Sequence, residues 1–431
     1  MRPPARARPG ANPGARPDGR PPLGRGTAAT LAALTALTLA ALTACGSGGD
    51  GAEAAASSGG CATTGVSSKQ IHLGLLSSST GGSADQFNGF RSGVDARIGL
   101  VNAAGGVGGR QIAYSWADDE SETAINSAVA RTLVESDQSF AVLEATRSAS
   151  GSSAYLSKAG VPVVGLAGDT SWAGRANMVT FANEGSAQPA ASTVGEFVRA
   201  VGGTTAAVYS LPFRDSYRDA REATAASLTA AGVRVAVDGQ VTAATNFAQL
   251  AADLKAARVD TIAANVDQAN LTRIVEAARA AGVNPKVVVS PAGYDQRLIN
   301  LYGPQLAGLY LYLDFRPYDI ASPGGAIFAR AMAAYAPELN PPVSQGAMWG
   351  WISADLAVRG LSAAGSCPSR EGFLRALKGM KNYDAGGMLT RPVNLATAAS
   401  GPNLCYQIVQ VKPDGSGYAP FGSGPRCGRS L

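Results

Sequence analysis

Five cysteines carry most of the chemistry open to this chain, and their positions separate two uses. Cys45 directly follows an uncharged stretch, whereas Cys61, Cys367, Cys405 and Cys427 fall later, an even number suited to two disulfides in a permissive compartment. Four cysteines allow three connectivities among which the sequence does not choose; the pairing expected here joins Cys367 to Cys405 and leaves Cys61 for Cys427. Zinc is a poor alternative, because no CxxC pair is present and the only histidine, His72, lies in an apolar strand pattern. The same lone histidine leaves no acid–base pair for nucleophilic catalysis, and no G-x-S-x-G elbow is present. The glycines between Gly105 and Gly109 precede a strand instead of joining a strand to a helix, so they form no dinucleotide fingerprint. The expectation is therefore a protein that is not an enzyme and needs neither cofactor nor metal.

Six arginines from Arg2 to Arg25 precede the uncharged run Thr27 to Ala44, a basic and then apolar order that describes an export signal. The junction Leu42-Thr43-Ala44-Cys45 resembles a bacterial lipobox, in which the cysteine thiol takes a diacylglycerol and becomes the new N-terminus. Eighteen uncharged residues could nearly span a bilayer, but a run rich in Ala and Thr would insert weakly as a permanent helix. Residues 1–44 are thus read as a lipoprotein signal peptide, Cys45 as the lipidated residue, and the cell membrane's extracytoplasmic face as the location. Removing the leader also removes six arginines and one acid, Asp18, which leaves 30 basic against 30 acidic residues. The basic balance belongs to the leader, and a nucleic-acid partner loses its support.

Residues 45–66, almost wholly Gly, Ala, Ser and Thr, read as a flexible tether. Beyond them short apolar runs alternate with amphipathic ones. Ile71 to Leu76, Gln111 to Trp116, Phe140 to Leu143, Pro162 to Leu166, Ala206 to Ser210, Val233 to Val237, Thr261 to Val266 and Lys286 to Ser290 predict strands. Helical patterns fall at Asp85 to Asn102, Glu122 to Ser136, Ser186 to Val201, Asp215 to Ala231, Phe247 to Ala257 and Asn270 to Ala281, with Thr245 expected to cap the helix at Phe247. This alternation predicts an α/β fold of parallel sheets covered by helices on both faces, and the length after the leader suits two lobes. Trp349 and Trp351, among Ile352 and Leu356 at helical spacing, read as core.

The segment IHLGLLSSSTGG from Ile71, the run NAAGGVGGR at Asn102 to Arg110 with Asp118-Asp119 after the next strand, ARTLVESDQSFAVL at Ala130 to Leu143, AGVPVVG at Ala159 to Gly165 and TNFAQLAADLKAARVDTI at Thr245 to Ile262 come in one characteristic order. Together they make the chain resemble the branched-chain amino-acid binding proteins of ABC importers over nearly all of its length after the leader. That resemblance implies a type I periplasmic binding protein fold, two doubly wound parallel-sheet lobes joined by three crossings, near Phe181 to Glu184, near Tyr312 to Arg316 and shortly before Cys405. Lobe 1 would comprise 67–182 and 315–403, and lobe 2 would comprise 183–314 and 404–431. The implied partners are a small-molecule ligand, an amino acid or related compound, and an ABC permease in the membrane, with the protein itself a monomer.

Ligands of open parallel sheets sit beyond the carboxyl ends of strands, and three groups of residues meet that description. The loop Thr146 to Ser150 offers Ser148 and Ser150, where the resemblance places contacts to a ligand carboxylate; serines before a helix are also ordinary N-caps. In the next loop Thr170 fits the same role. Asp169 departs from the family pattern and must point away, pair with Arg147, bind a cationic or hydroxylated ligand, or face water as a turn residue. From the other lobe, Tyr217 and Tyr294 could close over a ligand and Asp267 could accept from an ammonium. Gln86 and Phe87 fall near a further wall. A sensor using the same clamp to signal to a membrane partner is the alternative to transport.

Overall fold

The computed structural model describes residues 61, 63–184, 190–212, 214–318 and 320–431, so the expected signal peptide, residues 1–44, and Cys45 lie outside the described residues. The first sheet is built from β1 (Gln70–Ser77), β2 (Gln111–Asp118), β3 (Val142–Ala145), β4 (Val163–Ala167) and β5 (Met178–Asn183), in the order β2-β1-β3-β4-β5. Every pairing in it is parallel. Strands β3 and β4 are buried along their whole length, as expected of continuous apolar runs with helices on both faces. Between them run α1 (Ala84–Phe87), α2 (Phe90–Ala103), α3 (Thr123–Arg131) and α4 (Ser153–Lys158).

The chain then leaves this sheet and lays down α5 (Thr193–Ala200), β6 (Thr205–Ser210), α6 (Arg214–Ala230), β7 (Arg234–Gln240), α7 (Phe247–Ala256), β8 (Thr261–Asn265), α8 (Gln268–Ala280), β9 (Val287–Ser290), α9 (Gln296–Tyr302) and β10 (Tyr310–Leu313). It returns with α10 (Pro323–Tyr335), α11 (Gln345–Ala363) and α12 (Arg370–Gly379), and α11 packs on α2 and β4. It crosses back for β11 (Cys405–Val411), β12 (Tyr418–Pro420) and β13 (Arg426–Cys427). The second sheet runs β12-β11-β10-β9-β8-β6-β7, with β13 on β11. The α/β expectation of two parallel sheets holds, with one addition. β11, β12 and β13 pair antiparallel, so the second sheet carries a C-terminal antiparallel edge.

Two local expectations change. The helix predicted from Asp85 to Asn102 is two helices, because Gly89 adopts φ of 83°, a left-handed turn that glycine enters without a Cβ penalty. The cap of α7 is Asn246 in place of Thr245: its side chain accepts from the N–H groups of Ala248 and Gln249, while Thr245 Oγ1 accepts from Thr242 N–H. Trp349 and Trp351 are 1% and 4% exposed, so both pack in the core as their helical pattern implies.

The expected disulfide pairing is incorrect. The bridges are Cys61–Cys367 and Cys405–Cys427. Cys405 and Cys427 are direct cross-strand partners in the β11–β13 ladder, 4.0 Å apart at Cα, a short pairing that only a C-terminal hairpin return creates. Cys61 reaches Cys367 at the far end of α11, where Arg110 binds both Ser366 O and Cys61 Sγ. The Cys61–Cys367 bridge closes a loop with a sequence separation of 306 residues against 22 for the other. Replacing the first pair by serines is expected to cost more, on the order of 5–6 kcal/mol against about 3 kcal/mol for the second, by the loop-closure dependence. Denaturant melts of the two double variants check the order.

Candidate functional site

Residues at the carboxyl ends of parallel strands of both sheets line one cleft. On the first side β3 delivers Arg147 just past its end, and β5 delivers Asn183 and Glu184 as the chain crosses over. On the second side β8 ends at Asn265, α6 presents Tyr217 and Thr224, and strands β10 and β11, next to the later crossings, supply Tyr312 and Tyr406. These side chains line an inner cavity with about 80 Å³ open to water-sized molecules, beside the crossing segments.

Arg147 dominates it. Its side chain is buried, with Nε donating to Gln86 Oε1 at 3.0 Å and Nη1 donating to the carbonyls of Gly168 and Glu184, both at 3.0 Å. Its guanidinium also stands 5.8 Å from the ring centre of Tyr217, so a residue of the first side touches the second. Two carboxyls lie close by. Burial raises Glu184 even though Arg147 pulls it the other way. Asp314 is pushed up to about 8, first by burial and then by Glu184, although Trp349 Nε1 donates to it at 3.0 Å. Burial likewise raises the hydroxyls of Tyr312 and Tyr406.

A second, outer cavity of about 30 Å³ shares Gln86 and Tyr217 with the first and is lined further by Asp85, Asp267, Gln268 and Gly293. Two contacts join the sides beside it: Asn88 Nδ2 donates to Asp295 Oδ2 at 3.1 Å, and Arg297 pairs with the lining residue Asp85 at 3.2 Å.

The sequence-predicted residues divide among these places. Tyr217 lines both cavities and Asp267 the outer one, where Asp267 also caps α8 by accepting from Asn270 N–H at 2.9 Å. Gln86 is a wall as expected, whereas Phe87 turns into the core against Trp349. Ser148, Ser150 and Thr170 line neither cavity. Ser148 is fully buried and its hydroxyl meets no partner among the described residues, while Ser150 and Thr170 are exposed. Asp169 neither pairs with Arg147 nor faces water. It is buried and accepts from the N–H groups of Ser150 at 2.8 Å and Ser171 at 2.9 Å, capping the turn Thr170–Trp172. Tyr294 is also outside the cleft: it is fully buried, its hydroxyl accepts from Tyr318 N–H at 3.1 Å, and its ring packs on Phe315 and Tyr418.

Arg147, Glu184, Tyr312 and Tyr406 line the inner cavity without having been read as site residues. Arg147 follows β3 in the loop of Ser148 and Ser150, and the other three lie on or beside crossing segments. Those segments read as connectors, yet the inner cavity forms where they meet.

The comparisons with known proteins agree with this architecture. The family model of the periplasmic binding proteins matches residues 70–416. No curated protein sequence matches the chain. Among solved structures, the chain is similar to the branched-chain amino acid transporter substrate-binding protein LivJ from Streptococcus pneumoniae in complex with isoleucine, at 18% identity and TM-score 0.68, covering 82% of this chain and 99% of that one. It is similar to a fatty acid ABC transporter substrate-binding protein from Thermomonospora curvata, at 18% identity and TM-score 0.71, covering 84% and 94%. A solute-binding protein of an ABC transporter from R. palustris in complex with benzoate gives 17% identity and TM-score 0.69, covering 84% and 98%. At these identities the structures attest the fold, and the family match, over most of the sequence and with the two-sheet cleft, means that this chain belongs to the periplasmic binding protein family.

Proposed function

We propose that the chain is an extracytoplasmic solute-binding lipoprotein that captures a small polar ligand, an amino acid, an amide or a related compound, and delivers it to an ABC importer permease. The observation that carries this reading is the inner cavity, whose mixed lining draws its polar groups from both sheets and from the crossings between them. A ligand held there touches both halves, so it favours the closed arrangement by its differential affinity. The structural neighbours bind solutes as different as isoleucine and benzoate on this architecture, which supports small-molecule capture and leaves the ligand's identity to the residues of this cleft. In this reading Cys45 holds the protein at the membrane and no chemical turnover occurs; the tether expected over 45–66 is shorter at its far end, because Cys61 is bridged to Cys367 and Val66 is buried in the core, so the reach comes from residues 46–60. Thermal-shift and calorimetric screening of the protein against amino acids, amides and short organic acids is expected to find a saturable stabilising ligand, and Cys45→Ser is expected to move the protein from the membrane fraction without changing that affinity. Absence of any stabilising ligand across such a library sinks the proposal.

A further inference from the structure

We infer that the cleft is built for an elongated solute with an anionic group at one end and a hydrogen-bond-donating group, an ammonium or amide, at the other, the first held by Arg147 in the inner cavity and the second by Gln268 in the outer one. This rests on the solute-binding reading and deepens it.

Three observations point there. Arg147 lines the inner cavity with Nε and Nη1 already bonded, while Nη2 meets no acceptor among the described residues. A guanidinium keeps its charge and its fork of donors suits a carboxylate. Burial works against the charged form of Glu184 beside it. At the other end Gln268 is 2% exposed, and its Nε2 donates to Ala292 O, which fixes the amide and leaves Oε1 as an acceptor without a partner among the described residues. A buried acceptor of this kind calls for a donor, and the carboxylate of Asp267 on the same cavity favours a cationic one, the charge of Asp85 being met by Arg297. Finally, Gln86 and Tyr217 line both cavities and so stand between the two recognition groups. An α-amino acid carries its charges on adjacent carbons and cannot place one on each side of that wall. An ω-amino acid, with several methylenes between the groups, can.

Isomers separate the possibilities cleanly. Calorimetry on the full chain would compare γ-aminobutyrate, δ-aminovalerate and ε-aminocaproate with their α-amino isomers, with butyrate for the missing donor and butylammonium for the missing anion. At least one ω-amino acid is expected to bind ten-fold or more tightly than its isomer. Arg147→Gln is expected to weaken that ligand at least a hundred-fold, with Arg147→Lys recovering part of the loss. Gln268→Leu should weaken it about ten-fold while leaving the weak binding of butyrate unchanged, and this variant tests the proposal separately should Arg147→Gln fail to fold. Equal or tighter binding of the α-amino isomers, or binding of a different solute that neither variant disturbs, overturns this inference and leaves the solute-binding reading standing. If no small solute of the wider library binds, both fall together.

Discussion

Glu144→Gln is expected to make the protein more stable at pH 8 by roughly 4 kcal/mol and to leave it nearly unchanged at pH 4.5, by proton linkage at a buried carboxyl. Glu144 lies on β3 with no exposed surface; Ser152 Oγ donates to Oε1 at 3.3 Å, and Oε2 meets no partner among the described residues. Burial first, then the nearby Asp169 and Asp119, push its pKa from 4.5 up to about 8. Between those values the folded chain keeps a proton that the unfolded chain has lost. Stability therefore holds below pH 4.5 and falls by about 1.4 kcal/mol for each pH unit as pH rises toward 8. Glutamine has the same shape and cannot ionise, so it removes this slope. Asp314, also pushed up to about 8, leaves its own share of the slope in the Glu144→Gln variant. Denaturant melts from pH 4.5 to 8.5 decide the matter: a difference between wild type and variant that does not change with pH would falsify the assignment of the slope to Glu144.

Glu144 also illustrates which parts of this molecule a sequence reveals. The strand that carries it stands out as the apolar run ending at Leu143, and its place in a parallel sheet follows from the alternation around it. That its carboxyl would be sealed in with Asp119 and Asp169 depends on the loops after β2 and β4 converging on β3, which no local pattern encodes. The cleft divides in the same way. Tyr217, in the first turn of α6, and Asp267, at the cap of α8, both follow strand ends, so topology alone brought them near the cavities. Tyr294 also follows a strand end, yet the backbone turns it into the core, because side-chain direction is set by a few dihedrals at Gly293 (φ 116°) that composition does not specify. Arg147 was visible only as a possible partner for Asp169. Its reach past the serines to Gln86 and Tyr217 emerges once both sheets are in place. The disulfides failed for a related reason, since the hairpin return that sets Cys427 opposite Cys405 is too short to announce itself in hydrophobic periodicity.

Gly350→Ala is expected to cost about 3 kcal/mol or more, the upper end for overpacking a close contact. Helices α2 and α11 meet backbone to backbone: a Cβ at Gly350 would fall on Phe90 O, one at Gly93 on Ala347 O, and one at Gly346 on Asn88 O. The obstructing atoms belong to main chain, so no rotamer change relieves the overlap and the helices must separate. Gly379→Ala is the internal contrast. At the end of α12 an added Cβ meets nothing within 4 Å, and the substitution is expected to be neutral or to stabilise by up to about 1 kcal/mol. The α2–α11 contact also supports the cleft. Ser344, which caps α11, donates to Asn88 O beside the left-handed Gly89, and Asn88 follows directly on the short helix that holds Gln86 against Arg147. Separating α2 from α11 should therefore loosen the wall shared by the two cavities. Gly350→Ala is accordingly expected to weaken ligand binding as well as stability, whereas Gly379→Ala should leave affinity unchanged. Thermal melts and calorimetry on the two variants test both halves, and a Gly350→Ala protein that melts at the wild-type temperature would show that the helices do not meet at this glycine.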